Sequence, residues 1–157
     1  MTVEIRGSES IYRVMAAVGG GAREKMLVTM KNISSEMTQY VKERKLSGDP
    51  IHRRTGQLRR SVSPHTSQSG SAVSASTGTS VKYAKYLEYG TAPHVILPVR
   101  AKMLSWMQGG RRVFARKVNH PGNPAFRPFR GALEETAPKN VESIRLAMVA
   151  MIREAQS

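Results

Sequence analysis

The chain has 157 residues, 39% of them hydrophobic, and 25 Lys and Arg against 11 Asp and Glu, a formal net charge of +14. That length suits one domain with a modest core, and the charge favours an acidic partner (nucleic acid, anionic membrane or acidic protein) without choosing among them. The absence of cysteine excludes disulfides, thiolate metal sites and cysteine catalysis.

Residues 8–46 read as a helical region. A short turn from Ser8 to Val18 meets Gly19-Gly20-Gly21, which breaks or hinges it, and a longer helix runs from about Ala22 to Leu46. Leu27, Met30, Ile33, Met37, Tyr40 and Val41 recur at three- and four-residue steps and form its apolar stripe. Ser47-Gly48-Asp49-Pro50 supplies the stop, because glycine accepts a left-handed cap and proline cannot continue a helix.

A basic segment follows, with His52, Arg53, Arg54, Arg59 and Arg60. Leu58 to Ser63 and Ser71 to Ser76 alternate weakly and predict two strands, with Pro64 to Gly70 as the loop between them. This ribbon carries little apolar weight and is expected to reach away from the core. Thr79 to Tyr89 predicts a short helix that uses Val81, Ala84, Tyr86 and Leu87 for contacts. Strands are expected at His94–Val99, Met103–Met107 and Arg112–Val118, with Gly109-Gly110 as the turn joining the last two. In the last strand, Val113, Ala115 and Lys117 face one way and Phe114, Arg116 and Val118 the other. A closing helix starts near Arg127 or Pro128. Its stripe is Phe129, Ala132, Leu133, Val141, Ile144, Met148, Met151 and Ile152, and Pro138 is expected to kink or divide it. The predicted class is α+β: a mostly antiparallel sheet of about four strands packed against a long N-terminal helix, a short central helix and a C-terminal helix, all in one domain over 1–157.

Residues suited to chemistry are sparse. His52, His65, His94 and His120 show no metal-ligand spacing. No Asp or Glu occurs between Tyr89 and Leu133, although carboxylates are what hydrolytic and two-metal centres require. Glu134 and Glu135 are adjacent on a helix and so diverge, and they suit its positive N-terminal dipole. No Gly-x-Ser-x-Gly elbow is present, and Gly19-Gly20-Gly21 lacks the Gly-Lys-Ser/Thr ending of a phosphate loop. No catalytic, cofactor or metal site is therefore expected. Two basic clusters remain: Lys42, Arg44, Lys45, Arg53, Arg54, Arg59 and Arg60; and Arg100, Lys102, Arg111, Arg112, Arg116, Lys117, Arg127 and Arg130. Both suit phosphate or an acidic protein surface. The first residues, Met1 to Arg6, carry no signal-peptide core, and no apolar run approaches the ~20 residues that span a bilayer. The expectation is a chain kept in a reducing aqueous compartment, with no membrane partner, until it is assembled.

Four motifs in order resemble one phage family. Thr55-Gly56-Gln57-Leu58-Arg59-Arg60-Ser61 resembles its glycine-x-leucine-arginine-x-serine entry. Val81 to His94 (VKYAKYLEYGTAPH) resembles its most distinctive run. Val113 to Gly122 (VFARKVNHPG) resembles its strand ending in histidine-proline-glycine, and Pro128 to Glu135 (PFRGALEE) its closing helix start. The family is the tail-component, or head–tail connector, group of long-tailed bacteriophages, which includes neck and tail-completion proteins. The resemblance spans about residues 55–136. The basic tip Gly109-Gly110-Arg111-Arg112 and the strand Met103-Leu104-Ser105-Trp106 depart from its pattern.

The resemblance implies a non-enzymatic virion subunit, made in the host bacterial cytoplasm. Its copies would form a ring, sixfold or twelvefold, coaxial with the DNA channel, joining head-completion proteins to tail-terminator or tail-tube proteins. Tyr83, Tyr86, Leu87, Tyr89, Gly90 and His94 are the expected subunit-interface residues. Arg53, Arg54, Arg59, Arg60, Arg111, Arg112, Arg116 and Lys117 are the expected contacts to packaged DNA or an acidic partner. The competing reading is a small, free-standing, basic nucleic-acid-binding protein.

Overall fold

A computed structural model describes residues 2–6, 20–48, 51, 55–70 and 72–155. The turn expected at Ser8–Val18, the stop residues Asp49 and Pro50, and His52, Arg53 and Arg54 lie outside the described residues. In chain order the elements are β1 (Thr2–Arg6), α1 (Gly20–Tyr40) continued by a π-helical turn (Val41–Lys45), α2 (Gln57–Ser61), β2 (Ser63–Ser69), β3 (Ala72–Gly78), α3 (Ala84–Tyr89), β4 (His94–Ile96), β5 (Leu104–Gln108), β6 (Arg111–Ala115), β7 (Val118–His120) and α4 (Pro128–Ala155). The fold is α+β, with a long N-terminal helix, antiparallel sheets and a C-terminal helix.

Helix α1 forms as its periodicity predicts. Ala22, Met26, Met30, Ile33 and Met37 fall on one face and are buried, as is Val41 in the π turn. The amide of Leu46 donates to the Val41 carbonyl at 3.0 Å, the five-residue step that closes that turn. Helix α4 runs antiparallel to α1, and a ladder of ion pairs marks the seam: Lys25 with Glu154, Lys139 with Glu36 at 2.5 Å, and Lys45 with Glu135 at 2.6 Å. Each pair is exposed or, at Lys45, partly so, and fixes alignment more than stability.

The strands divide among three antiparallel sheets rather than one of about four strands: β1-β3-β2, β4-β7 and β5-β6. Two sequence expectations change as a result. The stretch read as a loop, Pro64 to Gly70, is mostly strand β2, and Leu58 to Ser61 of the expected first strand belong to a helical turn, Gln57–Ser61. The ribbon β2-β3 also does not reach outward. It lies under α1, with Val73 and Ala75 buried beside Met26, Met30 and Ile33. Small side chains on β3 let the helix come close, and hydroxyls satisfy one another in the gap. Thr38 Oγ1 lies 3.1 Å from Thr77 Oγ1, and Ser34 Oγ lies 3.3 Å from Thr66 Oγ1. Strand β1, which pairs with β3 so that Ile5 stands opposite Ala75, was not anticipated.

The expected strand Arg112–Val118 splits in two. Its first part, β6, pairs with β5, and Val118 opens β7, which pairs with β4. Helix α4 is also continuous through Pro138. Proline removes only the bond that the Glu134 carbonyl would accept, and both residues are exposed, so water replaces it. On α4 the stripe is shifted: Val141 is 65% exposed while Asn140 is buried and donates to Thr136 Oγ1 at 3.1 Å. A second apolar cluster joins Val41, Leu46, Leu58, Val62, Ala84, Phe129 and Ala132, with Leu87 and Val81 packed against it. It anchors α3 and the start of α4 to the end of α1.

Candidate functional site

Three of the sequence motifs meet at one corner, built around Glu88. Ala84 and Glu88 are four residues apart on α3, so both face inward, and both are buried. Helix α4 begins at Pro128, after Arg127, whose side chain cannot accept a capping bond. Arg127 stands at φ 52, a left-handed conformation that costs a non-glycine residue about 1–2 kcal/mol. The Glu88 carboxylate supplies the cap instead. Its Oε2 accepts the Phe129 N–H and its Oε1 the Arg130 N–H, both at 2.9 Å. A buried anion is thereby matched to two orphan donors and to the positive end of a 28-residue helix.

The backbones of the two loops interlock beside this cap. The Phe126 amide donates to the Leu87 carbonyl at 2.8 Å, and Thr91 and Asn123 exchange backbone bonds at 2.9 and 3.2 Å. The approach leaves no room for side chains at two positive-φ glycines. A Cβ on Gly90 (φ +73) would stand 2.6 Å from the Asn123 carbonyl oxygen, and one on Gly122 (φ +89) would overlap the Thr91 carbonyl oxygen. This is the physical content of the glycine-threonine and histidine-proline-glycine motifs. His94 and His120, opposite each other in the β4-β7 register, stack with ring centroids 5.0 Å apart. Each imidazole has a local backbone partner: His94 Nδ1 lies 2.9 Å from the Ala92 carbonyl, and His120 Nδ1 accepts the Gly122 N–H at 3.0 Å.

The rigid corner displays an apolar, aromatic surface. Tyr83, Tyr86 and Tyr89 are 42%, 49% and 59% exposed. Lys85 Nζ lies 4.9 Å from the centre of the Tyr86 ring, and the Arg130 guanidinium 5.2 Å from that of Tyr89, both within cation–π range. An open cleft of about 680 Å³ is lined by Tyr86, Gly90, Thr91, Ala92, His94, Ile96, His120 and Asn123. No carboxylate is among its lining residues, and no group of three or more His, Asp or Glu among the described residues could hold a metal ion. The cleft offers aromatic faces, a hydroxyl, an amide and two imidazoles.

The structure brings together five of the six expected interface residues. Tyr86, Gly90 and His94 line the cleft, with Tyr83 and Tyr89 exposed on the same short helix or its approach. Leu87 differs in kind, since it packs into the second apolar cluster. Of the expected basic contacts, Arg59 is half-buried and donates its Nε to the Lys42 carbonyl at 2.9 Å, and Arg60 donates to the Thr55 carbonyl at 3.0 Å. Arg111, Arg112, Arg116 and Lys117 are exposed on or beside the β5-β6 hairpin. Glu134 and Glu135 do serve local structure, the first pairing with Arg127 and the second receiving Lys45 and the Tyr40 hydroxyl. The capping role of Glu88 was missed, although an acid at the rim of a 45-residue acid-free stretch, four residues from an apolar contact, was a visible signal. Compared with known proteins, the chain matches no family model, no curated protein and no solved structure.

Proposed function

We propose that the protein is a structural subunit of the head–tail connector of a long-tailed bacteriophage, forming a ring that joins the head-completion complex to the tail and leaves a passage for DNA. The observation that carries this reading is the corner itself. The residues that resemble the connector family are the ones that converge there: Glu88 on Phe129 and Arg130, and Gly90 against Asn123. Their joint product is a stiff platform of exposed tyrosines rather than a reactive centre. Rigid aromatic side chains give large contact area at low entropic cost. Head-to-tail contacts through such a patch close into a ring when the rotation is right. In this reading the partners are further copies in a sixfold or twelvefold ring, head-completion proteins on one side and tail-terminator or tail-tube proteins on the other. The location is the virion neck.

The second reading, a small basic nucleic-acid-binding protein, is favoured by one observation, the exposed cations of the β5-β6 hairpin. Native mass spectrometry and negative-stain imaging of the purified chain separate the two. A closed ring that is stable to added salt supports the connector. A monomer at every concentration, absent from purified virions, overturns it.

A further inference from the structure

The β5-β6 hairpin combines three features. Its strands pair only with each other, across a turn at Gly109 and Gly110 (φ +57 and +78), and nothing lies within 4 Å of where a side chain on either glycine would begin. Its apolar side chains are open: Met107 is 62% and Phe114 57% exposed. Its charges are of one sign. Arg100, Lys102, Arg111, Arg112, Arg116 and Lys117 are all exposed, within the stretch that holds no acid.

The six hairpin cations have no ion pair among the described residues, whereas cations of the helical body do: Lys25, Lys45, Lys139 and Arg145 each hold a glutamate. The same accounting leaves a second copy little counter-charge to offer. Among the described side chains, Glu36, Glu134, Glu135, Glu142 and Glu154 are already paired with Lys or Arg, Glu43 accepts from Gln39, and Glu88 is buried on α4, which leaves Glu24 as an exposed carboxylate without an ion pair. Six cations against one open carboxylate favour a foreign anion.

Register tells what shape that anion has. Gln108 stands opposite Arg111 and Met107 opposite Arg112. Neighbours on a strand point to opposite faces, so the tip carries one guanidinium on each side. A flat membrane would meet one face only, whereas a hairpin entering a groove tip-first has a charged wall on both sides. From Arg111 to Ala115 the strand advances about 13 Å at strand rise, and Arg116 and Lys117 follow its end, so the cations are spread along a length as phosphates are. A two-stranded ribbon fits the major groove of B-DNA, about 12 Å wide, and apolar groups such as Met107 and Phe114 can contact sugars and thymine methyls there.

We infer that the β5-β6 hairpin is a DNA-gripping arm that inserts between the phosphate walls of duplex DNA without reading sequence. This deepens the proposed function, and rests on it only in naming the passing DNA as the occupant.

The test uses the full chain and a fluorescein-labelled duplex of mixed sequence, with anisotropy read across a salt series. Arg111→Ala/Arg112→Ala is compared with Arg23→Ala/Lys31→Ala, which removes equal charge from α1. The hairpin variant is expected to bind about tenfold or more weakly at moderate salt, and its log K against log salt slope to be shallower by about 2, one for each lost phosphate contact. The α1 variant is expected to stay within about twofold of the wild type. Equal losses in both variants, no binding by the wild type at low salt, or hairpin-dependent capture by phosphatidylserine vesicles with no DNA binding would each overturn the assignment. Native mass is recorded on the same samples. An intact ring with unchanged DNA binding in the hairpin variant sinks the arm alone; hairpin-dependent DNA binding without any ring supports the arm and sinks the connector alone.

Discussion

Glu88 and Phe129 lie 41 residues apart and are joined by a 2.9 Å bond from the Phe129 amide to a buried carboxylate oxygen. The contact ties the short helix that displays the tyrosines to the first turn of the longest helix. The orientation of the proposed interface therefore depends on it.

Replacing Glu88 should therefore act on the fold and not only on the surface. Glu88→Ala leaves two backbone donors without partners, the Phe129 one buried and the Arg130 one partly so, and is expected to cost about 1–3 kcal/mol, several degrees in Tm. Glu88→Gln keeps one carbonyl acceptor and should cost less. Thermal unfolding followed by circular dichroism checks the order. Equal Tm values for wild type and Glu88→Ala would show that the cap carries no stability.

The glycines should divide by what surrounds them. Gly90→Ala places a methyl against the Asn123 backbone at positive φ and is expected to cost more than about 2 kcal/mol, with Gly122→Ala similar. Gly109→Ala, also at positive φ but with open space around it, is expected to cost about 1 kcal/mol. Urea midpoints for the three variants test the ranking.

Tyr86 and Leu87 are adjacent but should fail differently. Leu87 packs into the second apolar cluster and Tyr86 is 49% exposed. Leu87→Asp sets an unpaired charge against that cluster at a partly buried position and is expected to weaken folding. Tyr86→Ala should leave Tm within a few degrees while shifting the ring to smaller species in native mass spectra. A full ring from folded Tyr86→Ala would remove Tyr86 from the interface.

Acid should loosen the α1–α4 seam. The Glu135 carboxyl is held below the usual carboxylate range, chiefly by the hydrogen bond from Lys45 and then by that from the Tyr40 hydroxyl. The folded value is below the unfolded one, so the stabilisation is fully present above the unfolded carboxyl range and is lost as pH falls through the folded value. Glu135→Gln is expected to lower stability near neutrality and to flatten the acid side of the stability–pH curve, measured by urea unfolding at a series of pH values. An unchanged acid slope would show that the pair contributes nothing.

The amino-acid sequence encodes in short windows what was legible in it. The spacing from Met30 to Val41 defined the α1 face, Gly109-Gly110 the hairpin turn, and Pro128 the start of α4, because each depends on neighbours within a few residues. Pairing choices were not legible in this way. Arg112 to Val118 alternates like a single strand, yet only the competition between β5 and β4 for partners splits it after Ala115. Ser-rich β2 and β3 looked too polar for a core, and only the approach of α1, with Thr38 meeting Thr77, makes small hydroxyl residues the right filling. The Glu88 cap and the Gly90–Asn123 contact join segments more than 30 residues apart. Such contacts exist only after loop closure has brought the segments together, so tertiary structure decided what local pattern left open.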